Sequence, residues 1–531
     1  MVLDEISRTA NLKKLNRANY ACVCRDWQLF FEERNFSHLT LDFSDLSDLR
    51  QIVRDYRRDF VKHISLRIKV QPHVSSETWT KEDTQDLNNS AFSKAIWDLW
   101  AVLSTWRRRD THGNWHLTLE LLAGHPTSLS LLFNTGGYEI DLYSSYLRNG
   151  SVKAYQMHSD ANSPEAEIHQ RDLRELREVD PLYYREFLRW SKSFARGEGN
   201  LNLNFNHLSS QAKRKLPRIE VITHFLIRRE HHQNFHPRAL SRIFQSLPRL
   251  ESINIERWIH INAADERCWN KRVLKSLLPM PHRLLSQGND SGSSSMLGVA
   301  LPNSLKRLSI FTAAREPLQK QSAMPTANLD TAKSLATLSQ SLQQLSISFL
   351  VDAEDFFRSL YRPTSGKGLG DLHRLEYVPY WEHLTSLALT SKMFIAPETS
   401  LALSTSRINN LLFAAAMAAE KMPKLEVMEI WNGDKGQAGI FRYDSTLKST
   451  EILWQGTQHL ALSERVLTAW REVVVKNTRR ELSVRLIPIL TTRIEGTACV
   501  LDYLKLRSQV IHEVSAWQAQ WEQRFKAPAC V

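Results

Sequence analysis

The sequence predicts an α/β fold in which parallel strands lie edge to edge in chain order, with helices along one flank. Three observations carry this: a recurring strand spelling, helical stretches that stop at proline just ahead of two of its copies, and a spacing that leaves room for a helix and a loop between strands. The spelling is Leu/Ile-x-x-Leu/Ile/Met-x-Ile/Leu. It occurs at Leu250-Glu-Ser-Ile253-Asn-Ile255, Leu305-Lys-Arg-Leu308-Ser-Ile310, Leu342-Gln-Gln-Leu345-Ser-Ile347, Leu384-Thr-Ser-Leu387-Ala-Leu389, Leu425-Glu-Val-Met428-Glu-Ile430 and, less perfectly, Ile219-Glu-Val-Ile222. The last two apolar positions of each copy stand two apart, which is strand alternation, and the first lies where a turn hands the chain to the strand. A unit of this kind cannot bury its apolar face alone, so copies must stack. A stack of strands offers a binding surface before it offers an active site.

Successive copies start 31, 55, 37, 42 and 41 residues apart. That is wider and looser than the roughly 20–29 residues of a standard leucine-rich repeat, so the expected architecture is an irregular, leucine-rich-repeat-like solenoid. Pro237–Leu247 carries Leu240, Ile243, Phe244 and Leu247 on one helical face, and Pro248 stops it. Ile408–Met422 repeats the arrangement with Leu411, Leu412, Ala415, Met417 and Ala418 ahead of Pro423. Ser286–Leu297, Glu316–Thr331 and Met157–Glu167 are poor in apolar residues and read as loops inserted between units. After Asn432 the pattern changes. Phe441–Tyr443, Glu451–Trp454 and Leu482–Ile489 read as strands, Ser463 caps a helix through Val475, and Ile511–Phe525 reads as a closing helix, together a C-terminal α/β cap on the last unit.

At 531 residues the chain exceeds a single core, and its 42% hydrophobic and 24% charged content is that of a folded protein. Lys and Arg exceed Asp and Glu by 12, a mild excess over this length that does not point to nucleic acid. The start of the chain is mixed and charged, and the longest apolar run, Leu411–Ala419, is far shorter than the ~20 residues of a membrane span. No membrane partner is expected, and the cytosol or nucleus is the expected compartment. Five cysteines without a secretion signal suit reduced thiols.

Near the amino end, Tyr20, Val23, Cys24, Trp27 and Phe31 fall on one helical face, with Leu3, Ile6, Leu12 and Leu15 upstream. Val23-Cys24-Arg25-Asp26-Trp27 and Leu3-Asp4-Glu5-Ile6 resemble the close and the opening of the F-box, with aspartate where the family has proline and only Ser7–Asn11 before Leu12. Behind them, Phe36-Ser-His-Leu39-Thr-Leu41, Val61-Lys-His-Ile64-Ser-Leu66 and Asn114-Trp-His-Leu117-Thr-Leu119 carry a histidine version of the strand spelling. With Pro217–Arg229, Ile243–Trp258, Leu345–Phe357 and Met422–Asn432, these stretches resemble, nearly end to end, F-box proteins of filamentous fungi that join a short F-box to a long α/β region.

The resemblance implies four parts: an F-box-like helical segment over 1–35, strand and helix units over 36–200, leucine-rich-repeat-like units over 201–435, and the cap over 436–531. It implies a non-catalytic substrate receptor of a cullin-based ubiquitin ligase. The Skp-type adaptor would bind Leu3, Ile6, Leu12, Leu15, Tyr20, Val23 and Trp27. A protein target would bind the strand face left open by the helices and the loops leaving the strands, at Arg257, Trp258, Lys392, Trp431 and Asn432. A repeat-protein scaffold whose shortened F-box holds no adaptor is the alternative. No cofactor, metal or catalytic residue is expected. No Gly-x-Ser-x-Gly elbow occurs, Gly366–Gly370 lacks the leading glycine and the Ser/Thr of a phosphate loop, and Pro237 interrupts the histidine cluster His231, His232 and His236.

Overall fold

The strand spelling becomes a hydrogen-bonded ladder. The chain's computed structural model describes residues 17–71, 81–107, 116–124, 200–205, 215–229, 233–259, 266–270, 272, 302, 304–313, 329–360, 379–395, 401–446 and 449–524. Two compact units, Met1–Leu250 and Glu251–Val531, divide it. Both are mixed α/β.

In the first unit, β1 (His38–Leu41), β2 (His63–Lys69), β3 (Leu117–Gly124) and β4 (Ile222–Ile227) pair in parallel and in chain order. Around them run α1 (Arg25–Phe36), α2 (Leu46–Ile52), α3 (Arg57–Phe60), α4 (Lys81–Leu103) and α5 (Pro237–Gln245). Leu39 and Leu41 meet Ile64 and Leu66, as the histidine spelling requires. The next pair is set two residues on, with Ile64 opposite Leu119 rather than Leu117. That register places Glu120 opposite Ser65 and within reach of His63, so a buried carboxylate finds donors. Helix α5 starts on Pro237, whose missing N–H costs nothing in the first turn, and His236 Nδ1 accepts from the Arg238 N–H at 3.1 Å. Trp100 of α4 donates from Nε1 to Ser246 Oγ at 2.7 Å, tying the long helix to the end of α5.

In the second unit, β5 (Ser252–Trp258), β6 (Arg307–Ala313), β7 (Gln344–Asp352), β8 (Ser386–Thr390) and β9 (Val427–Asp434) are parallel neighbours in register with the spelling. Ile253, Leu308, Leu345, Leu387 and Met428 form one row across the strands, and Ile255, Ile310, Ile347, Leu389 and Ile430 the next. The residue after each leading leucine is the pivot. The carbonyls of Glu251, Lys306, Gln343 and Thr385 each accept two N–H groups from the start of the following strand, at 2.7–3.3 Å. The leading leucines themselves are buried.

Helices α6 (Leu329–Ser339), α7 (Ala353–Arg358) and α8 (Leu401–Ala419) lie between these strands in the sequence. Helix α6 starts at Leu329, inside the stretch expected to be a loop as far as Thr331. Helix α8 starts seven residues before the expected Ile408: Leu401, Ala402 and Leu403 are good helix formers, and no glycine or proline interrupts the chain from there to Asn410. The expected loops at Ser286–Leu297 and Met157–Glu167 lie outside the described residues, as do His231, His232 and Gly366–Gly370.

Beyond β9 the sheet turns antiparallel. A hairpin through Gly436, at φ 73°, returns β10 (Gln437–Asp444), which pairs antiparallel with both β9 and β11 (Thr450–Gly456). Helix α9 (Glu464–Asn477) opens on Ser463, whose side chain accepts from the Val466 N–H, and leads to β12 (Leu482–Pro488), parallel to β11. The three strands expected after Asn432 and the helix capped by Ser463 are present. The chain then continues through α10 (Thr497–Val500), α11 (Arg507–Val510) and α12 (Glu513–Arg524).

Candidate protein-interaction site

The stretch from Ile489 to Trp517 does not simply close the end of the sheet. It runs back as a strap over the strand face that bears no helices, passing β10, β9, β8, β7, β6 and β5 in reverse order. Alternate residues of the strands point to this face: Trp258, Phe311, Ala313, Phe349, Ala388, Trp431, Ala438 and Ile440. The strap covers them with Ile494, Val500, Leu501, Leu504, Val510 and Ile511. Phe349 stands edge-on to both Phe311 and Trp431, with ring centroids 5.7 and 5.3 Å away.

Polar groups fix the strap at each crossing. Thr497 donates to the Gly433 carbonyl at 2.6 Å. Glu429, fully buried on β9, accepts from the N–H groups of Lys505 and Leu506 at 2.9 and 2.8 Å and from Arg442 Nε at 2.6 Å. Gln509 donates to the Leu345 carbonyl and accepts from Ser386. Glu256, buried on β5, accepts from the His512 N–H at 2.5 Å. Two carboxylates on the sheet thus satisfy strap backbone donors that burial would leave without water.

The face expected to stay open for a target is therefore filled by the chain's own carboxyl-terminal part. Trp258 and Trp431 are core residues beneath it. Arg257, on the opposite side of β5, is buried in a two-pronged pair with Glu266, at 2.6 and 2.5 Å, and lies 3.8 Å over the Trp269 ring. Asn432 is buried, donating to the Ser391 carbonyl and accepting from the Gly433 N–H. Only Lys392 of the five expected contacts has an exposed side chain, and its backbone N–H donates to the buried Asp352. Burial pushes the Asp352 carboxyl above its ordinary range.

At the amino end, the expected helix through Tyr20–Phe31 is broken. A 3-10 turn, Arg17–Cys22, is followed by extended backbone at Cys24 before α1 begins at Arg25. Tyr20, Trp27 and Phe31 still meet, with ring centroids 5.3–6.3 Å apart, but they pack on their own chain. Val23 and Cys24 leave that cluster, and Val23 is 61% exposed. Leu29, on the far side of α1 from Phe31, is exposed as well. Glu32 holds α1 to α3 through Arg57 at 2.7 Å and Tyr56 at 2.8 Å. Burial raises the Glu32 carboxyl, yet hydrogen bonds from Arg57, Gln28 and Tyr56 outweigh it and hold it below the carboxylate range. Leu3, Ile6, Leu12 and Leu15 lie outside the described residues.

The sequence reading missed a buried ionic cluster in the first unit. Glu120 accepts from Arg228, from Ser65 Oγ at 2.6 Å and contacts His63 Nε2 at 2.9 Å. Burial pushes its carboxyl up, and the Arg228 charge with the His63 and Ser65 contacts overrides this, holding it far below the usual range. Serine, histidine and glutamate meet here, but the hydroxyl donates to the carboxylate and not to the imidazole. The group set against the serine is a carboxylate held far below its usual range and so a weak base, and the arrangement lacks the order a nucleophile needs. Among the described residues, no group of three or more His, Cys, Asp and Glu side chains could hold a metal ion. Among them too, no helix is long and apolar enough to cross a membrane.

Residues 300–512 match the model of a family of unknown function (DUF6546). The match runs from β6 to the end of α11 and so spans the later strands, the hairpin and most of the strap. No curated protein matches the chain.

Proposed function

We propose that this chain is a non-catalytic recognition subunit that joins the Skp-type adaptor of a cullin-based ubiquitin ligase to a protein target, with leucine-rich-repeat-like units as its framework. The observation that carries the reading is the division of labour over the stretch from Val23 to Glu32. Phe31 and Glu32 anchor α1 to its own unit, while Val23 and Leu29 remain exposed as apolar side chains that a partner helix can cover. Tyr20 and Trp27, half-buried against Phe31, complete the expected adaptor surface on this side of the unit. Such a subunit acts by raising the effective concentration of a target at the ligase, and breaks no bond itself.

The test is co-purification of the full-length chain with a Skp-type adaptor. Binding lost in Val23→Asp and Leu29→Asp, with melting unchanged, supports the reading. A full-length chain that captures no adaptor refutes it and leaves the scaffold alternative, which the extended break at Cys24 favours because it shortens the helix the family would present.

A further inference from the structure

The second unit's sheet ends on β12, beside whose outer edge no further strand lies among the described residues. The phase of its hydrogen bonding follows from Ile489, whose N–H donates inward to the Gly456 carbonyl at 2.8 Å. In a parallel pair, donors and acceptors of alternate residues point to the same neighbour, so Ser483, Arg485 and Ile487 face β11 while Leu482, Val484, Leu486 and Pro488 turn their backbone outward. Proline at an outward position, where no sheet donor is lost, is the placement an edge strand tolerates.

Edge strands in monomers are usually blunted with inward charges, bulges or brevity. This one spans seven residues, Leu482–Pro488, and bears Val484 at 41% and Leu486 at 49% exposure. Both stand on the side of β11 that carries Ile452 and Trp454. The opposite side of β12 carries Arg485, which is 60% exposed and 3.0 Å from Glu451. The flanking stretch 475–495 holds five basic residues, Lys476, Arg479, Arg480, Arg485 and Arg493, against Glu481 and Glu495. Strand geometry converts this into a specification. A segment added to the edge alternates its side chains between an apolar row beside Val484 and Leu486 and a side whose one charge is Arg485, flanked by Ser483 and Ile487.

We propose that the β12 edge is a strand-addition site for an extended peptide that alternates apolar and acidic residues. Backbone hydrogen bonds to Val484 and Leu486 supply affinity, and the two rows of side chains select the sequence. A second copy of this chain suits the edge less well, because a symmetric pairing would bring Arg485 and its basic neighbours against themselves. The inference stands apart from adaptor binding and survives its failure.

The experiment uses the full-length chain and a fluorescein-labelled peptide of alternating valine and glutamate, read by anisotropy. Saturable binding is expected, weakened at least tenfold when lysine replaces the glutamates. Val484→Pro removes an outward donor without touching the β11 ladder, and Leu486→Asp removes the apolar row. Each is expected to weaken the valine-glutamate peptide at least tenfold with the melting temperature unchanged. Absence of binding, equal binding of the two peptides, or binding indifferent to both variants overturns the proposal. So does a dimer in sedimentation that Val484→Pro dissociates, because a second copy would then own the edge.

Discussion

Glu429 is the residue on which the strap's position depends most. Its carboxylate is fully buried and accepts three donors: the Lys505 and Leu506 N–H groups and Arg442 Nε. Truncation in Glu429→Ala strands two backbone donors and a guanidinium that is mostly out of water. Each abandoned backbone donor costs about 1–3 kcal/mol, and removing one partner of a buried ion pair costs about 3–5 kcal/mol. These penalties are not additive within one hydrogen-bond network, and Arg442 keeps its bond to the Tyr503 carbonyl, so the ion-pair figure of about 3–5 kcal/mol stands for the total. Glu429→Gln retains one acceptor oxygen but turns an amide N–H₂ toward one strap donor, for about 1–3 kcal/mol. Urea unfolding reads the global loss, and hydrogen exchange locates it. Amides of residues 489–517 should exchange faster by about two to three powers of ten in Glu429→Ala, ahead of those in β5 to β8. A cost below about 1 kcal/mol with unchanged protection at Lys505 and Leu506 would show that packing alone holds the strap, and the argument from the carboxylates would fail.

Three further outcomes follow from the same geometry. A Cβ at Gly433 would overlap the Val500 side chain, so Gly433→Ala should cost about 1–3 kcal/mol. Adding Val500→Ala should recover part of it, a non-additivity that a double-mutant cycle detects and that simple strand strain would not give. Glu120 has a folded-state pKa far below the unfolded one, so its contribution is present above the unfolded value and is lost as pH falls toward the folded one. Acid unfolding should therefore steepen below about pH 5, and Glu120→Gln should flatten that limb while costing about 3–5 kcal/mol at neutral pH. His38 is lowered to about 4 by burial and by the charges of His63 and Lys62. The folded state prefers its neutral form, so stability falls as pH drops from 6.5 through 4. An NMR titration should find the His38 midpoint near 4 and move it upward in Lys62→Gln; a midpoint at 6.5 in the unmodified chain would contradict this.

The parallel ladder was legible because four copies of the spelling, led by Leu250, Leu305, Leu342 and Leu384, each do one local job. A leucine is buried at the turn, the next carbonyl takes two donors, and two apolar residues follow on one side of the strand, all within six residues. The strap was not legible, since its buried residues Ile494, Val500, Leu501, Leu504, Val510 and Ile511 sit on short turns that follow neither a period of 3.6 nor of 2. A signal for it existed on the other partner. The alternation of Arg307–Ala313 and Gln344–Asp352 breaks into the consecutive apolar residues Ile310-Phe311 and Phe349-Leu350-Val351, and consecutive apolar residues in a strand mark one covered on two faces. The Glu120 cluster escaped for a different reason: its members lie 55 to 108 residues apart, and the two-residue offset of β3 that unites them cannot be read from a spelling that aligns His63 with His116.

A strap over the second face changes what the fold has left to bind with. A sheet with helices on one side and an open side on the other recognises partners across its breadth, and the tryptophans at the strand ends would be natural anchors for them. Here those tryptophans are spent on the chain's own residues, and the two carboxylates that an open face would present to solvent are capped by backbone donors. Among the described residues, groups that stay accessible include Val23 and Leu29 in the first unit and, in the second, Lys392 at the end of β8 and the outward backbone of β12. On the proposed reading, substitutions at Trp258 or Trp431 should act through stability and not through partner affinity, since both are buried beneath the strap. Trp431→Ala should cost about 3–5 kcal/mol by emptying the centre of the strap core. If it abolished partner binding in protein that melted as the parent does, the face would have to open in solution and the strap would be a lid.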